Sequence, residues 1–410
     1  MVEVKRLEIK ATKQLREIMA LHFRELDEAS KTRNKKIAWC SSVGPAELAE
    51  SLGFLVYYYE NHGAMLGTAR LSSEYIPLAN AYGYSPEICS YLTSDIGAFL
   101  KGETPLTKAY GIERVPRPDV LLYNTNQCRD VYDWMSFYAR EFNVPLLGVN
   151  TPRTQRATRE DTIKSVAAQF EGLVPHLESI SGQRFDIDRF REVLALSLEC
   201  TGIWQQVLNT SMTIPSPISF FDTCIHMGPA VVMRGRQEAI DYYRILLAEL
   251  KERIEHGVSA VEGERHRFYW EGMPVWGKLR SMSDLFAMLK ACIVVSTYCN
   301  SWVFPDFDPG DPFISMARAY SSIFIGMDDN YKENYMADKV EKYKVDGIIY
   351  HDAKTCPNNT NSRYGLPNRL SQRLGIPYLV INGDLCDLRL YSEEQTITNV
   401  EAYVEQIEEA

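Results

Sequence analysis

Asp346-Gly-Ile-Ile-Tyr-His-Asp-Ala-Lys-Thr-Cys356 reads as a buried strand running out into a polar loop with a thiol, and it leads on to Gly375-Ile-Pro-Tyr-Leu-Val-Ile-Asn382. The same arrangement stands earlier in the chain. Asp119-Val-Leu-Leu-Tyr-Asn-Thr-Asn-Gln-Cys128 leads through a helix-like run to Asn143-Val-Pro-Leu-Leu-Gly-Val-Asn150. An apolar strand, a crossover helix and a second apolar strand after an X-Pro turn are the parts of a parallel sheet covered on both faces. In such an open sheet the ligand crevice lies at the carboxyl ends of the strands. A cysteine at that place in both halves points to soft-metal chemistry between two α/β lobes.

Outward from these stretches the pattern continues. Lys35-Lys-Ile-Ala-Trp-Cys40 and Gly53-Phe-Leu-Val-Tyr-Tyr-Tyr59 supply strands ahead of the first. Arg267-Phe-Tyr-Trp-Glu-Gly-Met-Pro-Val-Trp276 and Ala291-Cys-Ile-Val-Val-Ser-Thr-Tyr-Cys299 do so ahead of the second. Helical periodicity marks residues 5–31, 157–172, 187–208 and 236–255, with Ile214-Pro-Ser-Pro-Ile218 as a rigid break. The expected organisation is an N-terminal helical arm (1–33), a first α/β lobe (34–154), a helical segment (155–263) and a second α/β lobe (264–410). Each lobe is expected to be a flavodoxin- or Rossmann-like doubly wound parallel sheet.

The 410 residues are enough for two or three domains, and 45% apolar with 24% charged residues is ordinary globular composition. A net charge of −10 argues against a nucleic-acid surface. No apolar run approaches a membrane span, and Met1-Val-Glu-Val-Lys-Arg lacks a secretory h-region, so a cytoplasmic protein is expected. There is no Walker loop and no GxGxxG, so any ATP-dependent step needs a separate protein. Nine cysteines without a CxxC pair are neither a disulfide framework nor a zinc-ribbon spacing. Cys40 and Cys299 also end strands, while Cys200, Cys224 and Cys292 sit in apolar runs and read as core. Cys386 follows the last strand and reads equally as packing or site.

With these residues in view, the chain resembles the family of 2-hydroxyacyl-CoA dehydratase and benzoyl-CoA reductase iron–sulfur subunits. The carriers are Ala38-Trp-Cys-Ser-Ser-Val-Gly-Pro-Ala-Glu-Leu-Ala49, Tyr59-Glu-Asn-His62, Glu87-Ile-Cys89 and Asn124-Thr-Asn-Gln-Cys128. They continue in Trp270-Glu-Gly-Met-Pro-Val-Trp276, Tyr350-His-Asp-Ala-Lys-Thr-Cys356 and Asn382-Gly-Asp384. Their order spans nearly the whole chain.

The resemblance implies that Cys89, Cys128 and Cys356 hold a [4Fe–4S] cluster. Cys40 and Cys299 are candidates for a fourth ligand or for a larger, double-cubane cluster. It implies a CoA thioester as substrate, a homologous second subunit (or a second copy of this chain), and an ATP-hydrolysing activator that injects an electron. In the dehydratases that electron makes a ketyl radical that expels hydroxide; in the reductases electrons dearomatise benzoyl-CoA. Ser42 and Glu60 match positions near the substrate, where Glu60 could move protons; His62 is a second candidate, and His351 a third. Asn358-Asn-Thr-Asn-Ser-Arg-Tyr-Gly365 could donate hydrogen bonds to the cluster or thioester. Trp270, Trp276, Trp302 and Tyr298 could line an acyl pocket. Asp352-Ala-Lys-Thr-Cys-Pro-Asn-Asn359 and Asn382-Gly-Asp-Leu-Cys-Asp-Leu-Arg389 depart from the dehydratase pattern, so the expectation leans to an aromatic acyl-CoA reductase, with the dehydratase as the alternative.

Overall fold

In the computed structural model, which describes residues 8–153 and 158–409, the strands form two four-stranded sheets. The first holds β1 (Ile37–Cys40), β2 (Leu55–Tyr57), β3 (Val120–Asn124) and β4 (Leu146–Val149) in the order β2-β1-β3-β4. The second holds β5 (His266–Glu271), β6 (Ala291–Ser296), β7 (Gly347–Ala353) and β8 (Tyr378–Gly383) in the order β6-β5-β7-β8. Every pairing is parallel, so the order is the same in both and is that of a doubly wound sheet. The two-lobed α/β reading holds.

The two matching sequence stretches match because they perform the same local tasks. At the foot of β3, the Asp119 carboxylate accepts from the Ile37 amide at 2.9 Å; at the foot of β7, Asp346 accepts from the Arg267 amide at 2.7 Å. Each aspartate therefore pins the third strand of its lobe to the central one. The crossover helix Asp130–Phe142 stops at Asn143, and Leu366–Leu374 stops at Gly375, both left-handed C-caps (φ 51 and 70). Each is followed by an X-Pro that turns the chain extended into the last strand. β1, β5 and β6 are buried along their whole length; β1 and β6 therefore read as apolar runs, while β5 buries His266, Arg267 and Glu271 among its aromatic residues.

Between the sheets run the helices Glu160–Ser181, Ile187–Asn209, Phe220–His226, Gly228–Val232 and Gln237–Glu255. The first extends past the expected end at 172 through Pro175, because Leu173 and Leu177 on its inner face are buried. One continuous apolar core joins Leu121 of the first sheet, Phe170, Trp204 and Tyr243 of these helices, and Phe268 and Ile349 of the second sheet. A smaller core covers the second sheet's other face with Tyr269, Val295 and Ile348. The N-terminal helix Thr12–Thr32 packs on Gln237–Glu255 and on β1. Residues 5–7 of the expected N-terminal helix and residues 154–157, at the expected end of the first lobe, lie outside the described residues.

Candidate active site

The carboxyl ends of the two sheets face one another across a single cavity of about 380 Å³, within the usual range for small-molecule sites. Residues following every strand except β4 line it, among them Ser42, Glu60, Gln127, Met273, Tyr298, Thr355 and Leu385. Six of the nine cysteines are buried; the three that are not are Cys89, Cys128 and Cys356, and all three line this cavity.

Each of these thiols sits just ahead of a helical turn: Ser90–Lys101, Asp130–Phe142 and Pro357–Asn359. Burial raises all three thiol pKa values, that of Cys356 to about 12. Cys89 is further raised by the charges of Cys356 and Cys128, which places the three within electrostatic reach of one another. Against this, the amides of Leu92, Val131 and Asn359, each three residues on, favour the thiolate. Three thiols that open on one cavity, with Cys89 raised by the charges of the other two, form a donor set suited to a cation.

The three loops are tied to each other in pairs. The Cys89 amide donates to the Asp130 carboxylate at 3.2 Å, which joins it to the Cys128 loop. Arg153 donates to the Gln127 carbonyl at 2.7 Å and to the Asn358 side chain at 2.9 Å, which joins the Cys128 and Cys356 loops. The Ser90 amide donates to the Thr355 hydroxyl at 3.0 Å, and Thr355 donates through its amide (2.9 Å) and hydroxyl (2.7 Å) to Asp384. The Ser90 hydroxyl donates to the other Asp384 oxygen, which also accepts from the amides of Cys386 and Asp387. Asp384 is fully buried, so the hydrogen bonds compensate the cost of its desolvation. Sequence reasoning quoted Asn382-Gly-Asp384 without giving Asp384 this task, and missed Asp130 and Arg153; an acid just past the last strand was the available signal.

Glu60 stands on the cavity wall. Burial raises its pKa, opposed by hydrogen bonding from Ser42, Gln127 and Tyr59; the Ser42 amide donates to Oε2 at 3.3 Å. Its Oε1 has no partner, and neither does the Gln127 side-chain oxygen or the Trp302 indole N–H, all in cavity-lining residues. The loop bearing Ser42 is held from behind: Arg234, fully buried, donates to the Ser42 carbonyl at 2.8 Å and to Glu47 at 3.2 Å, while Tyr320 donates to Glu47.

Other expected site residues lie elsewhere. His62 is not on the cavity: its Nδ1 meets Asp95 and its Nε2 meets Thr104 at 2.8 Å, and Asp95 also accepts from Trp134 and Tyr138. That imidazole is a sealed part of the first lobe's helix packing, not a proton carrier to the cavity. His351 donates to the Met273 carbonyl at 2.6 Å and is likewise buried. Cys40 is completely buried and does not line the cavity. Cys299 is turned away toward Thr223 (3.3 Å) and Cys224 (4.0 Å). Burial raises the Cys299 pKa, but hydrogen bonds from Cys224, Ser296 and Thr223 outweigh it and lower the value. The structure thus does not bring Cys40 or Cys299 to the other three, whereas Cys224, expected in the core, reaches the wall. Cys386 packs against the Gly63 carbonyl and Gly67, where a Cβ would come within 2.5 Å of its sulfur. Trp276, Trp302 and Tyr298 line the cavity as expected; Trp270 stacks on Phe220 instead.

Among the described residues no three His, Cys, Asp or Glu side chains crowd together as ligands of a single ion would. A cluster in which separate irons take separate thiolates does not require that. Three coupled thiols on three cross-braced loops fit such a group by donor chemistry.

Comparison with known proteins extends this picture. A sequence model described as 2-hydroxyglutaryl-CoA dehydratase, D-component, matches residues 41–407. The chain is 30% identical to the (R)-2-hydroxyisocaproyl-CoA dehydratase alpha subunit of Clostridioides difficile, over 93% of this chain and 92% of that one. It is 30% identical to the (R)-phenyllactyl-CoA dehydratase alpha subunit of Clostridium sporogenes, over 96% and 95%. Similarity to a benzoyl-CoA reductase subunit of Thauera aromatica is lower, 26% over 85% and 83%. The lean toward the reductase, drawn from two short stretches, gives way to similarity along the whole chain, which favours the dehydratases.

Proposed function

The chain belongs to the 2-hydroxyglutaryl-CoA dehydratase, D-component, family, and on that premise we propose that it is a catalytic subunit of a 2-hydroxyacyl-CoA dehydratase. Cys89, Cys128 and Cys356 would hold a [4Fe–4S] cluster, which when bound supplies one-electron transfer and Lewis acidity. The relatives named above are each one subunit of a larger enzyme, so a second subunit is expected to complete this one. The chain carries no phosphate-binding loop of the Walker kind, which leaves ATP hydrolysis to a separate activator.

The chain's own residues account for binding and proton movement. The acyl group lies against Trp276, Tyr298 and Trp302, an aromatic wall that excludes water. Loss of water from a 2-hydroxyacyl thioester removes the C2 hydroxyl and a proton from C3. Glu60 Oε1, with no protein partner, gives its proton to the departing hydroxyl and takes the C3 proton in its place. Water leaves, the unsaturated thioester remains, and the carboxyl ends as it began. Burial keeps Glu60 closer to protonation than an exposed glutamate, as a proton donor at neutral pH requires. Ser42, held by Arg234 behind and Glu60 in front, fixes the carboxyl's orientation.

One observation carries the reading: the three cysteines that are not buried all open on the same cavity as a buried carboxyl oxygen without a partner. The test is anaerobic purification with the partner subunit, iron and sulfide counts, and turnover after activation with an (R)-2-hydroxyacyl-CoA and with benzoyl-CoA. About four irons per chain and dehydration of the hydroxyacyl thioester are expected. Turnover of benzoyl-CoA alone would assign the reductase chemistry, and an iron-free protein would remove both.

A further inference from the structure

The cavity does not stop at the strand ends. Leu15, Arg16, Met19 and Phe23 of the N-terminal helix Thr12–Thr32 form its outer wall. Phe23 stacks on Tyr110, with ring centroids 4.8 Å apart and planes 21° from parallel, and both rings line the cavity. Beyond them a surface depression is lined by Arg16, Glu17, Ala20, Leu21, Arg24 and Tyr110, with Ala109 at its edge. Arg16 and Tyr110 belong to both. A path therefore leads from the thiols, past an apolar wall, to an open trough with two guanidinium groups.

Three features of that trough are unexplained by folding. Arg16 and Arg24 are exposed, and neither makes a hydrogen bond or ion pair among the described residues, although most arginines on the surface of this chain do. Leu21 beside them is 64% exposed. The trough carries two positive side chains against the single carboxylate of Glu17, on a chain whose net charge is −10. A polyanion is repelled by the net charge of the molecule and attracted locally here. The two arginines are eight residues apart, about 12 Å along the helix, which suits two separate anionic groups rather than one. Guanidinium is also the side chain whose donor fork matches phosphate oxygens.

We infer that Arg16 and Arg24 bind the phosphate groups of the CoA moiety, while Met19, Phe23 and Tyr110 carry its pantetheine arm toward the thiols. The inference rests on the thioester reading above and assigns which end of the cavity each half of the substrate occupies. The acyl group then lies at the Trp276–Trp302 end, and the N-terminal helix becomes a part of the substrate site.

The test is calorimetric titration of the assembled protein, prepared anaerobically, with CoA, dephospho-CoA and pantetheine. Arg16→Ala and Arg24→Ala are each expected to weaken CoA roughly 5- to 10-fold, as loss of a charge-assisted contact does, and to leave pantetheine unchanged. One of the two variants is expected to lose its discrimination between CoA and dephospho-CoA. The wild-type affinity for CoA should fall with added salt, and less steeply in the double variant. Unchanged CoA affinity in both variants, or an equal loss with pantetheine, would overturn the placement of the phosphates while leaving the thioester reading intact. Variants that lose subunit assembly but keep the chain's own CoA affinity would give this face to the partner subunit and overturn the inference in the same way. Wild-type protein that binds neither CoA nor pantetheine would remove the thioester reading as well.

Discussion

The two lobes repeat one plan and use it differently. Both have the strand order 2-1-3-4, both pin the third strand with an aspartate at its foot, and both stop the last crossover helix at a left-handed residue before an X-Pro. At the carboxyl ends the resemblance stops. The first lobe presents two thiols, Cys89 and Cys128, with the partnerless Glu60. The second presents one, Cys356, and its other strand-end cysteine, Cys299, is turned away toward Cys224 and Thr223. The second lobe instead supplies Asp384 and Thr355, which hold both Cys356 and the Ser90 turn in place. A repeated fold sets where a site can be, and the loops decide which half carries out the chemistry and which half braces it.

The largest effect should come from the thiols. Cys128→Ala and Cys356→Ala are expected to abolish iron binding and activity together, whereas Cys299→Ala and Cys40→Ala keep the iron content of the wild type. Iron and sulfide analysis of the anaerobic proteins decides this. If Cys299→Ala loses iron as Cys128→Ala does, the two-to-one division between the lobes is wrong.

Next come the buried carboxylates of each lobe. Glu60→Gln should lower kcat roughly 10²- to 10⁴-fold, the range for loss of a general acid–base group, with iron content unchanged. Glu271→Gln, a buried carboxylate of the second lobe that does not line the cavity, should leave kcat within a few-fold. Equal losses would mean that both lobes contribute to proton transfer. For the brace, Asp384→Asn is expected to cost about 3 kcal/mol of unfolding free energy, because a buried acceptor of several hydrogen bonds is turned into a partial donor. Urea midpoints measure it. Asp130→Asn, with its single amide contact to Cys89, should cost about 1 kcal/mol.

How much of this was legible in the sequence divides along the same line as the lobes. The sheets were legible, because a parallel strand covered on both faces is an unbroken apolar run, and Asp119 and Asp346 stand at the same offset from theirs. The thiols were half legible. Cys40, Cys128, Cys299 and Cys356 all follow apolar runs, and nothing along the chain says that two of them end sealed in the core. Exposure is decided by which helices arrive from elsewhere: Cys299 is met by Thr223 and Cys224, more than seventy positions away. His62 misled for the same reason, since Asp95 of a later helix and Thr104 of the loop after it close over the ring. The Ser90–Asp384 contact joins residues 294 positions apart, and no local pattern announces such a contact.

The last contrast, which shows only as a change with pH, concerns how each lobe buries its charge. In the first, Glu47 meets the guanidinium of Arg234 directly. In the second, Glu271 accepts from the Thr297 hydroxyl and the Asn361 amide, and Lys332 is reached only through Asn361, at 3.0 Å from its side-chain oxygen. Burial raises the Glu271 pKa from 4.5 to about 7, with the hydrogen bonds from Thr297 and Asn361 and the charge of Lys332 opposing the shift. Tyr269, Tyr335 and Tyr350 are the other titratable groups that its charge reaches. The folded state therefore holds a proton that the unfolded chain releases near pH 4.5, so this contribution to stability is present in full below that pH. It is lost as pH rises through about 7. By linkage the loss amounts to at most about 3 kcal/mol between pH 5 and 8. Glu271→Gln, a neutral stand-in for the protonated acid, should flatten that part of the slope. Urea midpoints for both proteins at pH 5, 6.5 and 8 give the difference; parallel curves would mean that Glu271 is as well paired as its counterpart Glu47.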